Sequence, residues 1–234
     1  GDISNTVEVT ADAAQLQIKT ESGEQSNSIN NQQIQNLAVN GRNYLDLVKL
    51  TPGVVVTTGF ATSGPGGIGN ININGERGGK ANLTIDGTTN IDTGSNGTQH
   101  IALSLDNIAE FKLLTSNYQA EYGRSSGGEI QIVTKSGTNT MHGTIFGFNR
   151  VSALSSKDFN ASANNLDKGT FTRNQYGYSV GGPAIKDKLF GFNSTEWTKV
   201  RSRADVISIA PSSDLISSSA EATRTYFGKF SLRS

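Results

Sequence analysis

The chain has 234 residues, with 20 Lys+Arg against 20 Asp+Glu, so its formal net charge is zero and no global attraction to nucleic acid follows. It has no Cys, which removes disulfide frameworks, thiolate zinc sites and thiol catalysis, and no apolar run reaches the roughly 18 residues of a membrane-spanning helix. Gly is high at 27, Pro low at 4, and hydrophobic residues make up only 34%, a composition of short strands and many turns rather than one large uniform core.

Residues 1–25 are polar, with a short apolar alternation at Val7 and Val9, and read as an arm carrying a strand-competent patch. The opening Gly1-Asp2-Ile3-Ser4 is no signal sequence, so an exported form is expected to be processed or trimmed. Ile34, Leu37 and Val39 begin a weak helical pattern that Asn40-Gly41 breaks. Asn43 is a candidate cap for a short helix with Leu45, Leu47, Val48 and Leu50 as apolar positions, stopped by Thr51-Pro52-Gly53. Val54, Val55 and Val56 form a short run expected to be buried, and residues 59–69 a Gly-rich loop. Ile71 and Ile73 alternate with Asn70, Asn72 and Asn74, as in a strand with one polar face. Residues 81–85 predict another strand, closed by the turn dipeptide Asp86-Gly87 and followed by a polar loop over residues 88–99. Asp106 is expected to cap a turn of helix that runs into a strand at residues 110–114. Residues 118–122 read as a short helix or turn, and residues 129–134 as a strand with Ile130 and Ile132 on one face.

The character changes near Lys135. From Gly143 onward, aromatic residues stand two apart: Phe146 and Phe148, Tyr176 and Tyr178, Phe190 and Phe192, then Tyr226, Gly228, Phe230 and Leu232 against Phe227, Lys229, Ser231 and Arg233. One apolar and one small or polar face is what a strand between bilayer and lumen requires, so these aromatic faces are expected to point at lipid. A soluble β-sandwich also alternates, and pattern alone leaves both open. Residues 181–188 read as a compact turn of the periplasmic kind, and 151–173 and 202–223 as longer polar connections on the outer side.

Motifs for catalysis fail in context. Gly123-Arg124-Ser125-Ser126-Gly127 matches G-x-S-x-G, but a nucleophile elbow needs a strand before the Ser and a helix after it, and here the order is turn then strand. Gly64, Gly66 and Gly69 have dinucleotide-loop spacing, yet Pro65 sits among them and no βαβ unit surrounds them. His100 and His142 are isolated and make no metal site. No enzyme, cofactor or metal is expected.

Four segments carry a resemblance: Asn40-Gly41-Arg42-Asn43-Tyr44 through Leu50-Thr51-Pro52-Gly53-Val54; Asn74-Gly75-Glu76-Arg77 with Asn82-Leu83-Thr84-Ile85-Asp86-Gly87; Ile108-Ala109-Glu110-Phe111-Lys112 through Ala120-Glu121-Tyr122-Gly123-Arg124; and Gly127-Gly128-Glu129-Ile130-Gln131-Ile132-Val133-Thr134-Lys135-Ser136-Gly137-Thr138-Asn139. In this order they resemble TonB-dependent outer-membrane receptors, most closely the Oar-like branch. The resemblance implies an α+β plug domain of short strands and helices over residues 26–138, preceded by an arm over 1–25. Residues 139–234 are then about four antiparallel transmembrane strands of an incomplete β-barrel, the chain being an N-terminal fragment of a plugged barrel of about 22 strands. Four strands with open edges cannot stand alone in lipid, so the rest of the barrel or partner chains are expected to complete the wall.

The resemblance further implies a place in the bacterial outer membrane, contact with its lipid, and energised passage of an unknown substrate, driven by a TonB-type protein in the periplasm. An adhesion or envelope scaffold that reuses the plug and barrel is the alternative. Thr6, Val7, Glu8, Val9 and Thr10 resemble the TonB box, a segment that binds by adding a strand to a partner's sheet edge. A plug must be displaceable, which favours polar contacts that water can replace; Arg77, Glu110, Glu121 and Arg124 are candidates for ion pairs to the barrel. Gly64, Gly66, Asn90 and Asn96 lie on candidate substrate-facing loops.

Overall fold

The computed structural model describes residues 23–37, 39–57, 67–92, 97–119, 121–123, 125–157, 159–163, 167–206 and 215–232. In chain order the first part comprises β1 (Gln25–Asn30), α1 (Asn31–Asn36), β2 (Val54–Val56), β3 (Ile71–Ile73), β4 (Asn82–Ile85), β5 (Thr88–Thr89), β6 (Ile108–Ser116) and β7 (Glu129–Thr134). Short 3-10 turns at Asn40–Arg42, Tyr44–Leu50 and Leu105–Asn107 connect them. A five-stranded sheet runs β1-β6-β7-β4-β5, with β4 parallel to β7 and the other pairs antiparallel, and β2 and β3 form a separate pair.

The local signals act as elementary chemistry dictates. Asn43 caps the Tyr44–Leu50 turn by accepting from the Leu45 N–H, although the turn is 3-10 rather than α-helical. Asn30 and Gln33 make a reciprocal capping box on α1. Asp86 (φ 48°) and Gly87 (φ 80°) make the tight left-handed turn between β4 and β5. Phe111, Leu113, Ile130, Ile132 and Leu83 come from the sheet and share one buried cluster with Ile34, Tyr44, Leu45, Leu47 and Val48. Burying each such side chain contributes about 1.5–3 kcal/mol over leaving it exposed.

The second part is one four-stranded antiparallel sheet, β11-β10-β9-β8, from β8 (His142–Val151), β9 (Thr170–Ile185), β10 (Leu189–Val206) and β11 (Leu215–Leu232). A short helix, α2 (Phe159–Ala163), lies between β8 and β9. Among the described residues no helix is long and apolar enough to cross a membrane. The turn between β9 and β10 has three residues, the short kind that the resemblance expects on the periplasmic side. β9 has 16 residues and β10 and β11 have 18 each, against the roughly 9–11 that span a bilayer. The connections expected over 151–173 and 202–223 are therefore partly strand: pairing continues well past the bilayer's thickness.

Other expectations change. Gln25–Asn30 is a strand although its sequence is polar, because pairing with β6 supplies its hydrogen bonds. Val55 is 61% exposed, so the valine run is not buried throughout. Asp106 does not cap the Leu105–Asn107 turn; Ser104 stands at the cap position and the Asp106 carboxylate is committed to Arg42.

The largest change concerns the wall's faces. Gln175 and Ser194 bond to plug groups, so the residues that share their face point inward. Register places Phe146, Phe148 and Arg150 on that inner face of β8. Phe190 and Phe192 lie on the inner face of β10 and are buried. Ile145, Tyr176, Tyr178, Tyr226 and Phe230 face outward and are exposed. The pattern of β9 and β11 reads as expected, while in β8 and β10 the aromatic face turns to the plug.

Candidate functional site at the plug–wall seam

The plug meets the wall along rows of inward-facing residues that climb β10 from the periplasmic turn. Rows two residues apart are about 7 Å apart along the strand. In the first, Lys229, opposite Phe192, donates to Asp86 (3.1 Å) and to the Thr134 hydroxyl (3.0 Å). Next, the Ser194 hydroxyl donates to Asn107. One row higher Glu196 accepts from the Ser104 hydroxyl (2.5 Å) and from Gln175 (3.2 Å). Gln175, opposite Thr198, also donates to the Gly41 carbonyl (3.2 Å). Phe227 adds an apolar contact against the plug core.

Arg42 is the centre of this seam. Its guanidinium lies 2.6 Å from Asp106 and 3.5 Å from Glu196, and all three side chains are largely buried. It stands over the ring of Phe146 at 4.2 Å and of Phe148 at 5.1 Å. A guanidinium is weakly hydrated and planar, so it accepts carboxylates at its edge and rings at its face together. Its backbone is left-handed (φ 58°), an unfavourable conformation for a residue with a side chain. Gly41 precedes it (φ 66°), and a Cβ there would stand 2.1 Å from Arg173 Nη1. The Asn-Gly-Arg stretch thus has physical content: Gly41 admits the wall, and Arg42 holds it.

Titration is perturbed along the plug. Burial alone would raise the Asp86 carboxyl, but the hydrogen bonds from Thr134 and the Lys229 ammonium outweigh it and hold the group below its usual range. Burial raises the Glu129 carboxyl against the hydrogen bonds of Asn82 and Thr84. Burial lowers Lys135, opposed by Asp106 and reinforced by Arg42. Burial pushes up Tyr44, whose hydroxyl donates to Gln99. For Asp86 the folded value is depressed, so its contribution is full above its unfolded value of about 3.9 and is lost as pH falls through the lower folded value. Asp86→Asn is expected to flatten that loss: the urea midpoint of plug release, followed from about pH 5 to pH 3, should fall less steeply than in wild type. An unchanged slope would count against the Asp86–Lys229 link.

Between plug and wall, Gly137 packs on the wall backbone, where a Cβ would stand 2.4 Å from the Gly191 carbonyl. Asn139 donates to the Asp187 carboxylate (2.6 Å) and accepts from the Asp187 N–H (2.9 Å). These contacts pin the connection between the two parts to the periplasmic rim.

A family signature described as the TonB-dependent Receptor Plug Domain matches residues 19–128, and one described as an outer membrane beta barrel domain matches residues 133–228. The chain belongs to the TonB-dependent outer-membrane receptors. It is 30% identical over 130 residues to the TonB-dependent transporter Oar of Myxococcus xanthus, a match covering 52% of this chain and 12% of that protein. The siderophore receptor PirA of Acinetobacter baumannii superposes with a TM-score of 0.55 at 25% identity, over 75% of this chain and 24% of PirA. The outer membrane transporter YddB of Escherichia coli superposes with a TM-score of 0.65 at 18% identity, over 88% of this chain and 30% of YddB. The chain therefore spans under a third of the length of these relatives. It is the plug and first wall strands of a plugged barrel in the outer membrane.

Thr6, Val7, Glu8, Val9, Thr10, Gly64, Gly66, Asn96 and Arg124 lie outside the described residues. Arg77 and Glu121 are exposed on the receptor's plug. Glu110 is also exposed and accepts from Ser28 (2.6 Å), a contact within the plug. Among the described residues the plug–wall ion pairs are Arg42–Glu196 and Lys229–Asp86. Asn90 departs from a substrate-facing place: it is buried, and its carboxamide clasps the Ile101 backbone at both N–H (2.9 Å) and carbonyl (2.7 Å). That bracing uses the polar atoms a ligand would need. One signal for the seam was present in the sequence. Glu196 is a carboxylate in the part of β10 that lies at membrane depth, costly there unless it faces the lumen and finds partners.

Proposed function

We propose that this chain belongs to a transporter that passes a solute through its barrel when the plug is shifted by a TonB-type protein from the periplasm. The observation that supports this most is the character of the seam. Its hydrogen bonds and ion pairs hold the plug in place, yet water replaces each of them when the surfaces part, so a net contribution near 1 kcal/mol per neutral bond is what displacement must overcome. A dry apolar interface of the same area would not release stepwise. Oar and YddB are named as transporters, which agrees with this reading.

Thr6, Val7, Glu8, Val9 and Thr10 are the proposed docking strand, offering an extended backbone to the partner's sheet edge. Deleting these five residues from the full-length receptor is expected to abolish binding of the periplasmic domain of the cognate TonB-type protein, read by surface plasmon resonance. Heat-modifiable migration of the barrel should stay unchanged. Undiminished binding by the deletion variant would refute the assignment.

A further inference from the structure

The outward face of the wall carries a notch near its periplasmic end. Its floor is made of glycines: Gly182 stands opposite Gly191, and Gly228 lies opposite Asn193 in the next row. Met141 lies over Gly182, where a Cβ would stand 2.1 Å from its sulfur, and the Phe230 ring over Gly191 at 3.3 Å; between these side chains, Val180 and Tyr226 a hollow of about 270 Å³ remains. Tyr226 and Phe230 are 65% and 78% exposed. Above it, Tyr176 stacks on Trp197 at 5.6 Å and Tyr178 leans on the same ring at 6.2 Å, so the hollow ends at an aromatic ridge.

Depth and charge say what fits there. The notch occupies rows two to six residues above the start of β10, about 7–20 Å along a tilted strand. Within an apolar band about 25 Å tall, this is the periplasmic leaflet. The turn directly beneath holds Lys186 and Lys188, both exposed, while the intervening Asp187 carboxylate is engaged by Asn139. Asn193 brings a carboxamide to the same outward face and spends one N–H on the Phe227 carbonyl (3.4 Å), leaving capacity for an ester oxygen. An apolar groove, an amide partway down and cations at its mouth complement one molecule: a lipid with an anionic headgroup.

We propose that the notch seats one acyl chain of an anionic phospholipid of the periplasmic leaflet, with its phosphate at Lys186 and Lys188. The notch lies on the outward face of β9, β10 and β11, with Met141 at its edge, on the opposite face of the wall from the plug seam.

The test uses the full-length receptor in detergent, titrated with phosphatidylglycerol or with phosphatidylethanolamine of the same chains and read by native mass spectrometry. Wild type is expected to retain phosphatidylglycerol in preference. Lys186→Gln with Lys188→Gln should weaken phosphatidylglycerol by about fivefold per lysine and bring the two lipids level. Gly191→Leu, which fills the hollow, should weaken both lipids alike. Equal binding of the two lipids by wild type, or wild-type retention in both variants, overturns the proposal. Heat-modifiable migration establishes that each variant is folded; were Gly191→Leu to fail that check, the lysine pair decides alone.

Discussion

Arg42→Ala in the full-length receptor is expected to loosen the plug from the wall by about 3 kcal/mol, roughly a hundredfold in the release equilibrium. The variant removes a cation from between two carboxylates that stay where they are, Asp106 and Glu196, with side-chain exposures of only 15% and 10%. It also strips two aromatic faces of their cation and leaves alanine in a left-handed backbone. These 234 residues hold no cysteine, so Ser194→Cys, beneath the plug at 3% exposure, introduces the single thiol among them, and any cysteine elsewhere in the full-length receptor is first replaced by serine. Maleimide labelling of that cysteine in urea should begin at a lower concentration when Arg42 is alanine. Adding Glu196→Gln should recover part of the loss, because the repelling charge goes too; the coupling is expected within about 0.5–3 kcal/mol. Identical labelling curves with and without Arg42 would mean that the seam is held elsewhere.

Phe111→Ala acts on the plug itself and should be the more damaging change. Phe111 is fully buried at the centre of β6, opposite Ile132, and removal of its ring leaves a cavity that the two-sided packing of sheet and 3-10 turn cannot close. The expected loss is about 3–5 kcal/mol, a large share of the stability of a small domain. Hydrogen exchange in the full-length receptor should accelerate across β6 and β7. Val133, one residue from Ile132 and 47% exposed, provides the contrast: Val133→Ala should change exchange little. Comparable acceleration in both variants would place the core elsewhere.

The sequence made some elements plain and hid others for physical reasons. The Asp86-Gly87 turn, the Ile71 and Ile73 face and the strand bearing Ile130 and Ile132 are specified by local chemistry, and each forms where expected. β1 has no such signal: Gln-Ser-Asn-Ser-Ile-Asn becomes a strand only because β6 offers an edge. In the wall, period-two alternation reveals two faces but not which one is outside. Phe146 and Phe148 face inward because Arg42 gives their rings a cation, and Phe192 because Phe227 packs beside it at 6.2 Å. The seam was illegible for a related reason. Arg42 and Glu196 stand more than 150 residues apart, and only the closure of plug on wall makes them neighbours.

The placement of β1 has a mechanical consequence. It is one of the two edge strands of the plug sheet, paired on one side only among the described residues, and it is the strand that follows the arm in sequence. Its register with β6 slips between Gln25 and Ser26, at the end a pull from that arm would reach first. Tension across the sheet would part the rungs singly, from Gln25 opposite Ser116 towards Asn30 opposite Glu110, with Lys112–Glu24 and Asn27–Thr51 as early stops. Tension along the strand would have to shear all the rungs together. Loaded in the first direction, the plug would shed its margin while β6, β7 and β4 keep every neighbour they share: a tear strip whose removal opens a path without unravelling the cloth.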